Sequence, residues 1–462
     1  MTYYLFLPVE FQYREFDSRL LIGISSLNIN KFKIKVFIGE RKELEKYHKN
    51  FAYKKKNKCI LIHKGLTSDL DYFYRLFKSN TLFLVLDEEG GVYSKYILNS
   101  WPRAGINNKF WRYVTCVLFW GREAKNFYIN KNEDIKYINN FVSGNPRFDL
   151  PKLNRFNKKK TKKIKVLINL NFSRLNNVVN FEDEIAFRKK RYIHSEFKER
   201  LGYFYNYQSS IFNEVTKMIN FLAINNQKIE FIIRPHLVEK NSTYIELFKN
   251  IKNIKVENNL SVSDHFNNVS CVIHTGCTTA IEAYFAKIPS IIFIPNNKYL
   301  SAIPNTLKYI SVNTNSIKET NQKLNYLLKY PASFFNKKKE FKLKKIIHNT
   351  DIFSHELITE NLNSIIGNFL DFKNKHFIFF NFFYHPIRIF NIFKKIFNYN
   401  FKFSKKDNKI PTEIKLRDNM KFSNLEISSF KSKVNKYSKF IGTHKIKIAK
   451  ISNKIFSIEK FD

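Results

Sequence analysis

Three short stretches of this chain gather residue types that suit chemistry. In TLFLVLDEEGG, residues 81–91, the carboxylates Asp87, Glu88 and Glu89 follow an apolar run and precede two glycines. Like charges crowded at one strand end repel, which raises at least one carboxyl pKa and suits a general base acting on a hydroxyl. Clustered carboxylates also suit Mg²⁺, and an exposed acidic turn is the plain structural alternative. In FIIRPHLVEK, residues 231–240, an apolar run ends in Arg-Pro-His. Pro235 stiffens the exit and sets Arg234 and His236 to hold an anionic leaving group by charge-assisted bonds, with the imidazole able to protonate it. The alternative is a strand-end arginine paired with a surface carboxylate. In VIHTGCTTAIEAYFAKIPSIIF, residues 272–293, a turn carrying His274, Thr275, Gly276, Thr278 and Thr279 joins an apolar strand to an apolar helix. Gly276 lets backbone approach a ligand, and hydroxyls with free N–H groups at a helix start favour a phosphate. A structural N-cap would account for only one of the threonines. Glu282, one turn into that helix, is placed to reach a ribose hydroxyl, or else is a solvated helix carboxylate.

These residues need a scaffold that brings strand ends together. Residues 1–150 alternate near-continuous apolar runs (YYLFLPV, KIKVFIG, CILIHKG, TLFLVLD, VTCVLFWG) with helix-compatible segments. Such strands imply a parallel sheet covered on both faces. The stretch VSGNPRFDLPKLNRFNKKKTKK then reads as a linker, with a Gly-Asn-Pro turn, a second proline and a basic run. Alternation resumes with IKVLINLN, KIEFIIRPH, IKVE, CVIH, SIIFI and YISVN. The expectation is an α/β protein of two Rossmann-like doubly wound domains facing a cleft, residues 1–150 and 151–370, with ligands beyond the carboxyl ends of the strands. Residues 371–462 read as a basic, aromatic-rich tail. Their segment HFIFFNFFYHPIRIFNIFKKIFNYNFKF is either a structural appendage or an interfacial element resting on an anionic membrane.

At 462 residues, two domains plus an appendage fit the length. The N-terminus reads as a first buried strand and lacks the basic start of a signal peptide, and no apolar run is long enough to span a bilayer. The four cysteines lack metal-site or CxxC spacing, which implies a reducing, cytoplasmic setting without structural zinc. A formal charge of +41 suits nucleic acid, a membrane or a phosphorylated substrate, or follows from a Lys- and Asn-rich composition. An RNA-binding protein would need aromatics stacked on an exposed sheet, whereas these strands look buried on both faces. There is no P-loop, GxGxxG, GxSxG or HExxH motif.

With LPVEFQYREFD, LDEEGG, SGNPRFD, IIRPH and IHTGCTTAIEAYFAKIPSI in this order, the chain resembles the bacterial surface-carbohydrate biosynthesis proteins over about residues 1–328. That resemblance implies a GT-B glycosyltransferase with a nucleotide-sugar donor and a glycan or lipid-linked acceptor, without a cofactor. A further likeness is to transferases of CMP-activated acidic sugars, sialic acid or Kdo. It implies that Glu88 or Glu89 acts on a sugar while His236, Thr278 and Thr279 hold the CMP phosphate. Two departures are Leu237, where that motif has proline, and Lys287, where related helices end in glycine. Transfer of a polyol phosphate from a CDP donor would need the same phosphate cradle.

Overall fold

The computed structural model describes residues 1–54, 57–65, 79–88, 111, 114–131, 133–136, 138–154, 163–180, 182–183, 195–348, 351–371 and 412–461. Glu89, Gly90 and the aromatic-lysine segment at 376–403 lie outside them. In the first domain β1 (Thr2–Val9), α1 (Gln12–Ser26), β2 (Lys33–Glu40), α2 (Arg41–Lys54), β3 (Lys58–His63), β4 (Thr81–Leu86), β5 (Cys116–Phe119), α3 (Arg122–Lys131) and β6 (Asn139–Val142) follow one another. A linker helix α4 (Asp149–Asn154) leads to β7 (Ile164–Asn169), α5 (Ser195–Asn225), β8 (Ile229–Arg234), α6 (Asn241–Phe248), β9 (Ile254–Val256), β10 (Cys271–His274), α7 (Thr279–Phe285), β11 (Ser290–Phe293), α8 (Asn305–Ile310), β12 (Val312–Thr314), α9 (Ile317–Lys329) and α10 (Lys337–Ile346). The chain ends with α11 (Ser354–Gly367), α12 (Thr412–Lys421), α13 (Ile427–Ile441) and a hairpin, β13 (Ile446–Ser452) and β14 (Ile455–Lys460).

Two sheets result, ordered β13-β14-β2-β1-β3-β4-β5-β6 and β12-β11-β10-β7-β8-β9. All neighbours are parallel except β13–β14 and β14–β2. In the second sheet the strand order reverses between β7 and β10, and in the first between β1 and β3. Open α/β sheets leave their ligand crevice at these switch points. Apolar side chains fill both faces of each sheet, as parallel strands require.

The end of the chain corrects the expectation of a tail. β14 pairs with β2, from Ile455 opposite Gly39 to Glu459 opposite Lys35. α13 buries Phe430, Val434 and Tyr437 in the same core as α1. α11 belongs to that core too, so the chain crosses back to the first domain after α10. A Cβ on Gly39 would collide with the Lys454 carbonyl and lie 2.9 Å from the Ile455 Cα. Gly39→Val is therefore expected to lift the hairpin off β2 and lower stability by about 1–3 kcal/mol in thermal denaturation, as forced overpacking does. Among the described residues no helix is long and apolar enough to cross a membrane.

Candidate functional site

The two switch points face one cavity of about 370 Å³. Glu88, Arg234, His236, Gly276, Thr278, Thr279 and Glu282 all line it, so carboxylate, imidazole, guanidinium and hydroxyls from both domains meet there.

On the second-domain side, β7 ends at Asn169 and β8 at Arg234. Asn169 accepts a bond of 3.1 Å from Arg234 Nη1, and Arg234 Nη2 donates to the Leu260 carbonyl at 3.3 Å. Arg234 is 8% exposed and forms no ion pair with a carboxylate among the described residues. Its Nε has no hydrogen-bond partner there. Burial presses its pKa down, partly offset by Cys277 and Glu282 nearby. A guanidinium stays protonated even so, and a buried cation without a counter-ion is costly unless an anion joins it.

His236 follows in the β8 exit loop. Buried Glu239 fixes this loop: its carboxylate accepts from the backbone N–H of His236 at 2.9 Å and Phe172 at 2.8 Å, and from the Tyr244 hydroxyl at 2.5 Å. One side chain thus ties the β7 and β8 exit loops together. With no cation among the partners named, burial pushes Glu239 up to about 7.

The β10 turn is arranged differently from the expectation. His274 is buried and turns inward. Its Nδ1 accepts from the N–H of Gly276 and Cys277 at 3.1 and 3.2 Å, which puts its proton on Nε2, 2.9 Å from Ser311 Oγ. Burial lowers its pKa to about 3, so it stays neutral and shapes the turn from beneath. Thr275 is buried as well, its carbonyl accepting from Tyr207 at 3.0 Å. Neither lines the cavity. A strand-end imidazole can face either way, and here two orphan turn N–H groups claim it. Gly276 holds φ of 107°, a conformation that disfavours side chains. Cys277 enters the cavity with its sulfur 3.2 Å from Asn169 Nδ2 and from Thr279 Oγ1. Lys287 takes the left-handed conformation, φ 56°, that glycine would take, and the Ile288 N–H bonds the Ala283 carbonyl to close the helix. The departure from glycine therefore leaves the turn into β11 intact, at a cost of about 1–2 kcal/mol.

The acidic turn of the first domain is also rearranged. Asp87 points away from the cleft, accepting from the Tyr128 hydroxyl at 3.2 Å and lining a separate small cavity. Glu88 is buried and ion-paired at 2.8 Å with Arg19, whose guanidinium also caps the carbonyl ends of β3 and β4. The crowding of like charges expected from the sequence is relieved because these two carboxylates diverge and one has its own cation.

Sequence reasoning missed Arg19 and the linker. In GNPRFD, Asn145 Nδ2 donates to the Asp87 carbonyl at 3.3 Å and to Glu88 at 3.4 Å. Arg147 crosses to α7, donating to Glu282 at 2.6 Å and Thr278 at 2.9 Å, and it lines the cavity. Asp149 caps α11 through the N–H groups of Ser354 and His355 at 3.0 and 2.9 Å. Glu282 is thus occupied by Arg147, where the sequence suggested a ribose contact. The retrievable signal was the polar residues flanking Pro146, read only as a linker and its turn.

The buried titratable groups set a pH dependence. Burial lowers His48 to about 3 and His274 to about 3, and burial with Arg234 nearby lowers His265 to about 4. Their folded values lie below the ordinary 6.5, so the stability they give is full above that pH and is lost as pH falls towards 3–4. Glu239 acts oppositely: its folded value exceeds the ordinary 4.5, and its contribution is lost as pH rises through about 7. The three histidines outweigh the single carboxyl, so chemical denaturation midpoints are expected to level off above about pH 7 and fall below it, and Glu239→Gln to steepen that fall by removing the one opposing group.

No protein-family model matches the chain, and comparison with curated proteins finds no match. Among solved structures it is similar to the UDP-GlcNAc 2-epimerase of Neisseria meningitidis bound to UDP-GlcNAc, at 11% identity and TM-score 0.48, covering 78% of this chain and 99% of that one. The epimerase of Methanocaldococcus jannaschii in complex with UDP-GlcNAc and UDP gives 16% identity and TM-score 0.47, over 79% and 100%. The wall teichoic acid polymerase TagF soaked with CDPG gives 11% identity and TM-score 0.50, over 81% and 89%. With the strand orders above, this likeness identifies two Rossmann-like domains arranged as in GT-B enzymes.

Proposed function

We propose that the protein is a glycosyltransferase of surface-polysaccharide synthesis that takes a sugar from a nucleotide-activated donor, in the first instance a CMP-linked acidic sugar such as Kdo or sialic acid. The observation that carries this reading is Arg234: a buried guanidinium, unpaired with any described carboxylate, at the switch point of the second sheet. A donor phosphate would supply the missing anion. Gly276 and the hydroxyls of Thr278 and Thr279 would hold its remaining oxygens, and His236 would protonate the leaving group. The glycan or lipid-linked acceptor would enter from the first domain. Because Glu88 is neutralised by Arg19, deprotonation of the acceptor hydroxyl falls to Glu89 in this scheme, and Glu88 orients the base of the cleft.

The test is titration with CMP-, CDP- and UDP-linked donors. At least one should bind, Arg234→Ala should weaken it by about tenfold or more, and Glu89→Gln should abolish turnover while binding survives. Absence of binding to every donor class would remove the proposal. One observation favours a second reading, transfer of a polyol phosphate from a CDP donor. His236 lines the cavity, whereas the cleft carboxylate Glu88 is ion-paired, and an imidazole can serve as base for attack at phosphorus. Mass analysis of the product separates the two, since only the second gives a phosphodiester.

A further inference from the structure

The helix α10, KKKEFKLKKI, buries Leu343 and presents its other side to solvent. At 100° per residue, Lys337, Lys338, Phe341, Lys344 and Lys345 fall on one arc, and all five are exposed. Phe341 sits in the middle of that arc and is 62% exposed. The lysine beside it, Lys345, lies with its ammonium 4.5 Å from the ring centre. Lys344 is paired with Glu340 and Asp351, while Lys337, Lys338, Lys342 and Lys345 form no ion pair with a described carboxylate. The neighbouring helix α8 adds Tyr309, 51% exposed and covered by Lys342.

We infer that this face of α10 docks on an anionic lipid bilayer, with Phe341 entering the interface and the lysines facing lipid phosphates. An exposed phenylalanine flanked by lysines, of which Lys337, Lys338 and Lys345 form no ion pair with a described carboxylate, combines the two contributions that hold a helix at a membrane surface: apolar burial and attraction to anionic headgroups. Ordinary solvation of a lysine-rich helix would leave the phenylalanine unexplained. None of these residues lines the cleft, and the assay reads nothing of catalysis.

The experiment is sedimentation of the full chain with vesicles of phosphatidylglycerol and phosphatidylcholine, beside vesicles of phosphatidylcholine alone. Binding is expected only to the anionic vesicles. Lys338→Glu with Lys345→Glu should weaken it by about tenfold or more, since each lysine near an anionic surface contributes about fivefold. Lys436→Glu with Lys439→Glu on α13 makes the same charge change elsewhere and should alter it by less than about threefold. Phe341→Trp should be quenched by brominated acyl chains. Equal loss in both charge-reversal pairs, an unquenched tryptophan, or loss of RNA binding in place of vesicle binding would overturn the inference.

Discussion

A chain ending at Asp371 is expected to lose the fold of its first domain. The last fifty described residues supply β14 to the edge of β2 and bury Phe422, Phe430, Val434, Tyr437, Phe456 and Ile458. Phe430 stacks on Phe456 with centroids 4.4 Å apart and meets Phe16 of α1 at 6.0 Å. Lys433 holds both oxygens of the buried Asp17 at 2.8 and 3.0 Å. At about 2 kcal/mol for each buried apolar side chain, their loss is comparable to the roughly 5–15 kcal/mol net stability of an ordinary domain. Asp17 would also remain buried without its cation, and β2 would become an open edge prone to pairing with other chains. The truncated protein should aggregate and show no cooperative thermal transition attributable to the first domain. A cooperative melt at the full-length temperature would show instead that this segment is dispensable for the fold.

The contrast shows where the sequence was legible. Central parallel strands are buried on both faces and appear as apolar runs, so β1 to β5, β7, β8, β10 and β11 could be read directly. β6, NNFV, is a short edge strand and gives no such run. The outer strand of the terminal hairpin, β13, mixes apolar residues with lysine, as a strand at a sheet edge does, and β14 inside it has only six residues, so within a lysine-rich region the pair passes for a solvated tail. The location of the cleft followed from strand ends, and seven of the suggested residues line it. Their partners did not follow: Arg19 meets Glu88, and Arg147 meets Glu282 across 135 positions, pairings that only the folded chain defines. The inward turn of His274 was hidden for the same reason.

Arg147→Met should separate structural pairing from ligand binding at the cleft. Methionine keeps much of the aliphatic volume but leaves Glu282 buried without its cation; the two side chains are only 8% and 6% exposed. Removing one partner of such a pair costs about 3–5 kcal/mol, so a marked fall in melting temperature is expected. Adding Glu282→Gln removes the stranded charge, and the amide can still accept from Thr278 or donate into the cleft, so most of the stability should return. Nucleotide binding should not return with it if Arg147, which lines the cavity beside Arg234, faces the donor phosphate. The double variant would then melt near the native temperature yet bind donor at least tenfold more weakly. Full recovery of binding would reduce Arg147 to a brace between linker and α7 and leave Arg234 to meet the phosphate without a second guanidinium.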